Sequence, residues 1–446
     1  MTTMTSLPTD LTDLIEAHAE GELHASAMRE VLESVAPMLE NDSKYREHRI
    51  FERLIVAERV VRVKVEWVDD EGVGRVNRAW RVEHCGALGP YKGGLRFHPS
   101  VCMDVLSFLA YEQSFKNALT GLPMGGAKGG SDFSPKGKSE GEVMRFCQAF
   151  ARALGGEFGP RTDVPAGDIG VGGREVGYIA GTLRKMTNRF EGTLTGKPEA
   201  LGGLNGREEA TGYGLITFVR AMLDHAGKDL DGKRVAISGS GNVALFAAER
   251  AAREGGTVVC VSDSNGLLVK DDGFTEPDIK ALKELKFVKR GRLHEAGLSG
   301  TDYRDGKEPW NEVSCDVALP CATQHEIDES EAKAIAEHGA MLVAEGANMP
   351  CTHGARKVFA ERGVRFAPGK AANAGGVATS LFEMSQNATF VPWTLERTID
   401  TLDETMRAIH ERCVRHGTNG DAIDYGRGAD AAGFERLADA MIRSGV

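Results

Sequence analysis

The chain has 446 residues, which at roughly 100–200 residues per domain predicts two domains, or three. Hydrophobic residues make up 41% and charged residues 27%, a balance that is typical of globular proteins and excludes disordered, collagen-like and coiled-coil chains. The 54 basic and 65 acidic residues give a net charge of −11. An acidic surface disfavours nucleic acid and anionic membranes as partners.

The eight cysteines are irregularly spaced, without a CxxC pair, and no HExxH motif is present. We therefore expect neither a metal site nor a disulfide framework. The first ten residues lack the basic and apolar segments of a signal peptide, and no run of 18 apolar residues occurs. These features predict a soluble, cytoplasmic protein.

The first part of the chain is predicted to be helical and then to form strands. Apolar residues recur at three- and four-residue spacing from Leu11 to about Val63, and Pro37 is expected to break this helical pattern. Alternating apolar residues over Arg59–Glu83 then predict a β-hairpin in a mixed sheet.

Residues 86–206 are rich in glycine and hold 25 of the 55 glycines in the chain. A flexible linker could have this composition, but Phe, Tyr, Ile and Met are interleaved with the glycines, which favours a folded region. Two helices are predicted here, at Val101–Leu119, with Ser100 as the N-cap, and at Glu142–Leu154.

The second half of the chain alternates predicted strands with helices. Arg234–Ser238 and Thr257–Ser262 are expected strands, and Asn242–Glu254 is the helix between them. This alternation indicates parallel βαβ units in an open sheet. The tail from Gly375 to Val446 is mostly helical, and we expect part of it to return to the first domain. The pattern continues through apolar runs at Val317–Pro320, Met341–Ala344 and Val364–Ala367 and a helical segment at Glu331–Glu337.

A dinucleotide-binding loop is predicted between the first of these strands and its helix. The segment Gly239-Ser240-Gly241-Asn242-Val243-Ala244 matches GxGxxG, with alanine in the third place, which the pattern allows. The glycines permit a tight turn and close approach to a pyrophosphate, and the helix N-terminus receives the phosphates. An ordinary glycine turn in a βα unit is the alternative.

The choice of dinucleotide stays open from these residues alone. Asp263 lies near the ~20-residue spacing at which an acid binds the ribose 2′-hydroxyl of NAD. A basic stretch that follows could meet the 2′-phosphate of NADP or could be a solvated helix face. Its residues are Lys283, Lys286, Lys289, Arg290 and Arg292.

Lysines mark the glycine-rich region as a site of chemistry. Lys92 and Lys128 each have glycines nearby on both sides, so few neighbouring side chains shield their ammonium groups. Gln113 and Lys116 are spaced i, i+3 on one predicted helix, so both can face one ligand. Asp168 lies in a stretch of Gly and Pro and is a possible proton-transfer partner for a lysine. The alternatives are surface lysines and a turn-forming aspartate.

The chain from about residue 45 to its C-terminus resembles a known family. The similar segments are, in order, GPYKGGLRFHPSV, EQSFKNALTGLPMGGAKGGSDF, TDVPAGDIGVGGREVGY, EATGYG, SGSGNVA, LPCATQ, AEGANMP and APGKAANAGGVATS. Together they resemble the hexameric glutamate dehydrogenases of the Glu/Leu/Phe/Val dehydrogenase superfamily, most closely the bacterial NADP-dependent branch.

This resemblance implies an α/β fold of two domains with the active site in the cleft between them. Residues 1–202, joined by the C-terminal helices at about 375–446, would form a substrate-binding and oligomerisation domain with a mixed sheet. Residues 203–374 would form a Rossmann-like NADP-binding domain. The implied activity is the reversible reductive amination of 2-oxoglutarate with ammonia and NADPH to L-glutamate, in a cytoplasmic homohexamer without a metal.

The resemblance also implies roles for individual residues. Lys128 would be the catalytic lysine and Asp168 its proton-transfer partner. Lys92 and Ser380 would hold the γ-carboxylate of the substrate, in a pocket lined by Ala166 and Val377. The α-carboxylate and nearby groups would be bound by Gln113, Lys116 and the Gly167 backbone. The cofactor would contact Thr211, Gly239, Ser240, Gly241, Asn242, Val243, Asp263, Asn348 and Lys286, the last near the 2′-phosphate, which favours NADP(H).

Three positions depart from the family pattern. Ala127 stands where many relatives have glycine, and Leu204 and Glu208 replace a serine and a proline that are usual before EATGYG.

Three other functions remain open. The alternatives are an NAD-dependent glutamate dehydrogenase, a branched-chain or aromatic amino-acid dehydrogenase, and an inactive dinucleotide-binding regulator. Lys92 and Ser380 discriminate against the second, because an apolar substrate needs no cation for its side chain.

Overall fold

The computed structural model describes residues 9–420 and 422–445, which form two compact units. The first unit contains residues 9–205, Val377–Leu395 and residues 429–445. The second contains Gly206–Gly376 and Glu396–Gly428. None of the helices in the described ranges is long and apolar enough to cross a membrane.

The part of the first unit that precedes residue 206 alternates helices with the strands of one sheet. A short 3₁₀ turn at Glu199–Leu201 ends it. The elements are α1 (Thr9–His18), α2 (Glu22–Asn41), α3 (Ser43–Glu47), α4 (Ile50–Leu54), β1 (Arg59–Val68), β2 (Gly74–Cys85), β3 (Tyr91–Phe97), α5 (Met103–Leu119), β4 (Gly126–Ser131), α6 (Glu140–Leu154), β5 (Asp163–Gly167) and α7 (Gly173–Thr187).

The sheet of the first unit has the strand order β1-β2-β4-β3-β5 and is mixed, as predicted. The hairpin of β1 and β2 is antiparallel, and β4 continues it in antiparallel fashion. Strand β3 then pairs in parallel with both β4 and β5. This order brings the glycine-rich strands β3, β4 and β5 side by side, although they lie far apart in the sequence.

The two faces of this sheet are covered by different helices. One face packs an aromatic cluster against α6 and α7, where Phe97, Phe133 and Phe146 lie with ring centroids 3.7–6.1 Å apart. The other face packs Trp80 and Val82 against α5. Since side chains alternate along a strand, residues of β3 and β4 that do not enter the aromatic cluster face α5.

Two local predictions in this unit are wrong. Pro37 lies inside α2, whose residues Val35 and Leu39 are buried on either side of it, so packing holds the helix together despite the missing backbone hydrogen bond. Ser100 is not the N-cap of α5, because the helix begins after Cys102 and the Ser100 hydroxyl bonds His98 instead.

The second unit is built from short strands separated by helices. Its elements up to residue 374 are α8 (Ala210–His225), β6 (Arg234–Ile237), α9 (Asn242–Arg253), β7 (Thr257–Asp263), β8 (Gly266–Val269), α10 (Glu276–Lys283), a π-helix (Glu284–Val288), 3₁₀ turns at Leu293–Glu295 and Pro309–Asn311, β9 (Asp302–Asp305), β10 (Val317–Leu319), α11 (Glu329–Glu337), β11 (Leu342–Ala344), α12 (His353–Arg362), β12 (Arg365–Ala367) and α13 (Gly369–Ala372).

The sheet of the second unit has the order β12-β11-β10-β6-β7-β8-β9. Strands β12, β11, β10, β6 and β7 are parallel, as the alternation of strands and helices predicts, and β8 and β9 are added in antiparallel fashion. The chain order reverses at β6, which has β7 on one side and β10 on the other. Ligands of open parallel sheets bind beyond the carboxyl ends of strands at such a switch point.

The C-terminal segment is mostly helical and divides between the units. The predicted division placed residues from about 375 onward with the first domain, whereas 396–428 group with the second unit in the structure. Asp403 contributes to this grouping, because it accepts hydrogen bonds from Thr217 and Arg250, side chains of α8 and α9. The elements here are α14 (Gly375–Thr389), α15 (Leu395–Gly417), β13 (Thr418–Asn419), β14 (Ala422–Ile423) and α16 (Tyr425–Ser444).

Candidate active site

Lys92 and Lys128 lie on neighbouring strands, and both side chains are buried. Only 1% of Lys92 and 6% of Lys128 is exposed. Lys92 belongs to β3 and Lys128 to β4, and the register of the strands places both on the face that α5 covers. Lysine is seldom buried without a charged or polar partner, and Asp168 is such a partner for Lys128, at 3.2 Å.

The glycines around the two lysines allow the strands and side chains to approach closely. A Cβ on Gly94 would lie 2.8 Å from the Gly167 carbonyl oxygen, 2.9 Å from Asp168 Cβ and 3.3 Å from Lys128 Nζ. A Cβ on Gly93 would collide with the carbonyl of Ala127. The glycine enrichment seen in the sequence therefore makes room for Lys128 and Asp168 above β3.

Asp168 follows β5 and receives two cations on one oxygen. Its Oδ2 lies 2.7 Å from Arg96 Nε and 3.2 Å from Lys128 Nζ. Within residues 9–420 and 422–445, no group donates a hydrogen bond to its other oxygen, Oδ1. Asp168 also lines an open cleft of about 520 Å³, together with Pro135 and Arg174.

The cluster shifts the pKa of both Asp168 and Lys128. Burial alone would raise the pKa of the Asp168 carboxyl, but Lys128 and Arg96 outweigh it and hold that pKa below its ordinary value. Burial lowers the pKa of the Lys128 ammonium, an effect that Asp168 opposes and that Arg96 reinforces. The arrangement therefore keeps a carboxylate ionised beside a lysine that loses its proton more readily than usual.

Helix α5 is tied to the same strands through Asn117. The Asn117 amide nitrogen donates to the carbonyl oxygens of Lys92, at 3.0 Å, and Gly125, at 2.6 Å. Its amide oxygen accepts a hydrogen bond from Gln113 Nε2 at 2.7 Å. Gln113, and Lys116 one turn later on α5, are thus presented beside β3, where Lys92 lies.

A loop after α7 and helix α14 meet beside β5. The Thr195 backbone nitrogen donates to the Pro165 carbonyl at 3.0 Å. The carboxylate of Glu383, on α14, accepts from the Gly196 backbone nitrogen at 2.8 Å and pairs with the buried Lys197. Ser380 lies one turn before Glu383. These contacts bring α14, which carries both Val377 and Ser380, to the loop that borders the strand of Ala166 and Gly167.

The second unit presents a glycine turn between β6 and α9. Gly239 adopts φ +86°, a left-handed conformation that favours glycine, and its backbone nitrogen donates to Ser262 Oγ at 2.9 Å. No atom of the described chain lies within 4 Å of a Cβ placed on Gly241. Ala244 is fully buried where a small residue is required. The turn and the helix N-terminus at Asn242 fit a pyrophosphate.

The carboxylate of Asp263, at the end of β7, accepts hydrogen bonds from protein groups through both of its oxygens. Its Oδ2 accepts from Lys286 Nζ at 3.2 Å and the Leu293 backbone nitrogen at 3.0 Å, and Oδ1 accepts from the Asn265 backbone nitrogen at 3.0 Å. Only 4% of its side chain is exposed. Burial opposes ionisation, but these donors hold the pKa of Asp263 below its ordinary value. Lys286 reaches it from the π-helix, a distortion that sequence patterns do not reveal.

Asn348 and Thr211, two other predicted cofactor residues, lie in the second unit. The Asn348 amide oxygen accepts from Asn373 Nδ2 at 3.1 Å. A Cβ on Gly376 would lie 2.7 Å from Thr211 Oγ1 and 3.7 Å from the guanidinium nitrogens of Arg207. Predicted cofactor residues Ser240 and Val243 belong to the glycine turn and the first turn of α9.

The sequence model of a family described as Glutamate/Leucine/Phenylalanine/Valine dehydrogenase matches residues 202–445. A second one, described as the Glu/Leu/Phe/Val dehydrogenase dimerisation domain, matches residues 57–185. The chain belongs to the Glu/Leu/Phe/Val dehydrogenase family. The resemblance carried by the sequence motifs is thereby confirmed.

Individual relatives within the family cover nearly the whole chain. The NADP-specific glutamate dehydrogenase of Salmonella typhi is 53% identical over 95% of this chain and 94% of that protein. The NAD-specific glutamate dehydrogenase of Porphyromonas gingivalis is 45% identical over 98% and 99%. The crystal structure of Plasmodium falciparum glutamate dehydrogenase superposes with a TM-score of 0.95 at 45% identity, over 98% of this chain and 95% of that one. This likeness confirms the predicted two-domain α/β fold.

In this member of the Glu/Leu/Phe/Val dehydrogenase family, the structure adds two residues that our sequence reasoning missed. Arg96 shares an Asp168 oxygen with Lys128. Thr195 has a buried hydroxyl oxygen, Oγ1, without a hydrogen-bond partner among the described residues, next to the strand that carries Ala166. Arg96 could have been found, because Lys92, Gly94 and Arg96 share one face of a strand. No sequence signal distinguishes Thr195 from other loop threonines.

Proposed function

We propose that the chain is an NADP-dependent glutamate dehydrogenase, which catalyses the reversible reductive amination of 2-oxoglutarate with ammonia to L-glutamate. The observation that carries this proposal is the pair of buried lysines, Lys92 and Lys128, on one face of a sheet with Asp168 against the second lysine. Membership in the family and the name of the Salmonella relative support it.

The substrate class follows from the number and burial of the cations. Glutamate and 2-oxoglutarate carry two carboxylates, and each needs a cation or several hydrogen bonds once water is excluded. In the proposal, Lys92 and Ser380 bind the γ-carboxylate beside Ala166 and Val377. Gln113, Lys116 and the Gly167 backbone bind the α-carboxylate.

Lys128 and Asp168 carry out the proton transfers of the proposed reaction. As ammonia attacks the 2-oxo carbon, Asp168 accepts a proton from the attacking nitrogen through Oδ1, the oxygen without a protein donor. Lys128 polarises the carbonyl oxygen and gives it a proton, which completes the carbinolamine. Asp168 then returns its proton to the new hydroxyl group, which leaves as water, and the carbinolamine becomes the iminium. When bound, NADPH supplies the hydride that reduces the iminium carbon. Burial lowers the pKa of Lys128, so it gives up its proton more readily than an ordinary lysine, which suits this acid and base role.

NADP is the favoured form of the nicotinamide cofactor because of the surroundings of Asp263. A carboxylate that already accepts three protein hydrogen bonds is poorly placed to bind a ribose 2′-hydroxyl, which is how NAD enzymes use this position. Lys286 and Arg292, the latter hydrogen-bonded to Ser264 Oγ at 2.9 Å, supply positive charge for a 2′-phosphate. The NAD-specific relative at 45% identity keeps NAD as the second candidate.

The proposed protein is a cytoplasmic homo-oligomer, and a hexamer by resemblance to its family. The match of residues 57–185 to a model described as a dimerisation domain supports self-association. Size-exclusion chromatography with light scattering gives the subunit number directly, and a monomer would contradict this part of the proposal.

The function itself is tested by mixing the purified protein with 2-oxoglutarate, ammonium and NADPH and following nucleotide absorbance. We expect oxidation of NADPH that depends on both substrates, and slower oxidation of NADH. A protein that oxidises neither nucleotide is not a glutamate dehydrogenase. Faster turnover of apolar 2-oxo acids than of 2-oxoglutarate would instead indicate a branched-chain or aromatic amino-acid dehydrogenase.

A further inference from the structure

Arg96 contacts the proposed proton-transfer pair but has no role in the scheme above. It extends from β3, two residues after Gly94, and its side chain is 12% exposed. Its Nε donates to Asp168 Oδ2 at 2.7 Å, a shorter contact than the 3.2 Å between Lys128 Nζ and the same oxygen. Arg96 therefore binds the oxygen of Asp168 that Lys128 would otherwise hold alone.

We propose that Arg96 is the positioning residue of the proton-transfer pair: it fixes Asp168 through Oδ2, leaves Oδ1 for the reacting nitrogen, and keeps Lys128 from forming a tight ion pair. The proposal deepens the proposed function and rests on the roles given there to Lys128 and Asp168. Arg96 acts through these two residues and does not itself exchange protons, because a guanidinium stays charged in proteins.

The geometry around Asp168 supports the first part of this role. A carboxylate held by one donor can rotate, whereas the Arg96 bond and the backbone hydrogen bond from Val171 N to the Asp168 carbonyl, at 2.8 Å, hold both the side chain and the turn. The oxygen without a donor is then fixed in orientation. Placing a reacting group correctly in this way contributes strongly to catalytic rate.

The charges around Lys128 support the second part. Asp168 attracts its ammonium, while Arg96 on β3 and Arg81 on β2 repel it. Arg81 is itself bound to Asp163 by a fully buried ion pair, so part of its charge is compensated. Lys92 lies on the same face of the sheet, and Lys116 lies on α5. Arg96 is thus in direct contact with Asp168, the partner of Lys128. Its removal takes away a repelling charge, so the Lys128 ammonium is attracted more strongly to Asp168.

The experiment compares Arg96→Gln, which keeps a donor but loses the charge, with Arg96→Lys, which keeps the charge but loses the planar donor. For each, kcat, the KM for glutamate and the pH profile of oxidation are measured. The proton affinity of Lys128 is followed separately, by the pH dependence of its reductive methylation with formaldehyde and cyanoborohydride, read by peptide mass spectrometry. Arg78→Gln is the matched control, since Arg78 Nε donates to Asp132 Oδ2 at 2.8 Å on the exposed part of β2.

We expect Arg96→Gln to lower kcat roughly 10- to 100-fold with little change in KM. Its pH profile and its Lys128 methylation curve should both move to higher pH by about one unit, because a repelling charge is lost. Arg96→Lys should keep the wild-type midpoint but not the wild-type kcat. Arg78→Gln should match the wild type in all respects.

Two results would overturn the proposal: a methylation midpoint unchanged in Arg96→Gln, or a wild-type kcat in Arg96→Lys. If Arg96→Gln does not fold, as judged by circular dichroism, the kcat of Arg96→Lys decides. Failure of the proposed function is a different outcome, because then the wild type oxidises no NADPH, while the methylation curves still report whether Arg96 controls Lys128.

Discussion

Lys286 places its ammonium 3.2 Å from the Asp263 carboxylate and 2.9 Å from the Gly291 carbonyl oxygen. In the sequence these two residues favour opposite cofactors, and in the structure they neutralise each other. In the proposed function this pair selects the cofactor, because Lys286 both screens Asp263 and offers a positive charge.

Lys286→Gln is therefore expected to lower kcat/KM for NADPH roughly 10- to 100-fold, since a 2′-phosphate would lose a cation and face an unscreened carboxylate. The value for NADH should change little. Initial rates with both nucleotides check this, and Lys289→Gln, an exposed basic neighbour, is the control. An equal loss with both nucleotides would remove Lys286 from cofactor choice.

Lys92→Met tests the substrate class, because methionine keeps much of the volume of lysine and removes its charge from a buried position. We expect kcat/KM for 2-oxoglutarate to fall about 100-fold or more, as for the loss of a buried ion pair. The relative rate with 2-oxo-4-methylpentanoate should rise. Lys64→Met, on the exposed face of β1, is the matched control. Retained preference for 2-oxoglutarate would show that Lys92 does not bind the γ-carboxylate.

Lys128→Gln tests the proton-transfer role. Loss of a general acid and base is expected to reduce kcat roughly 100- to 10,000-fold, with a smaller effect on KM. In the wild type, oxidation of glutamate should increase with pH as Lys128 loses its proton, with a midpoint below the ~10.4 of ordinary lysine. Full turnover by the variant would exclude the mechanism without excluding the enzyme activity.

Gly94→Ala tests the space that glycine provides at the site. Its methyl group would lie 2.8 Å from the Gly167 carbonyl oxygen and 3.3 Å from Lys128 Nζ, so the lysine and Asp168 must move. We expect kcat to fall about 100-fold in a folded protein. Gly181→Ala on α7 is the control, because, apart from its own helix backbone and adjacent residues, no described atom lies within 4 Å of the added methyl group. Wild-type activity of Gly94→Ala would mean that the site tolerates this displacement.

His84 predicts how the first unit responds to acid. Its ring nitrogens lie 2.7 Å from Ser114 Oγ and 2.8 Å from the Leu54 carbonyl oxygen, and complete burial lowers its pKa to about 4. Between about pH 6.5 and 4 the unfolded chain binds a proton here and the folded protein does not, so stability decreases as the pH falls through this window.

The measurement is the urea midpoint of unfolding at several pH values between 7 and 4. His84→Gln should be less stable than the wild type at pH 7 but should lose less stability on acidification. His353→Gln, which changes an exposed histidine, should follow the wild-type pH dependence. Parallel curves for His84→Gln and the wild type would show that His84 does not contribute to acid sensitivity.

Much of the fold is local information that can be predicted from sequence. The hairpin of β1 and β2, the β6-α9-β7 unit and the glycine turn at Gly239 follow from alternation, helical spacing and turn residues within about 30 positions. The helix at α2 was predicted wrongly at Pro37, because a local rule against proline was overridden by burial of its neighbours.

The sequence predicts the residues of the candidate site but not their arrangement. Lys92, Lys128 and Asp168 stand out by their glycine-rich surroundings and by family resemblance. Alternation along β3 puts Arg96 on the same face as Lys92, but its contact with Asp168 depends on pairing between β3 and β5, which are about 70 residues apart. Long-range pairing decides which side chains meet, and no local pattern encodes it.

By itself, the sequence determined the residue types of the site, the two sheet-forming regions and the family, since these depend on composition, short-range periodicity and motif order. The tertiary structure decided that Asp168 Oδ2 is shared by Arg96 and Lys128, that Asp263 accepts a hydrogen bond from Lys286, and that Asp403 of α15 contacts Arg250 of the second unit. Each of these is set by strand register and burial, which place distant side chains within hydrogen-bonding distance.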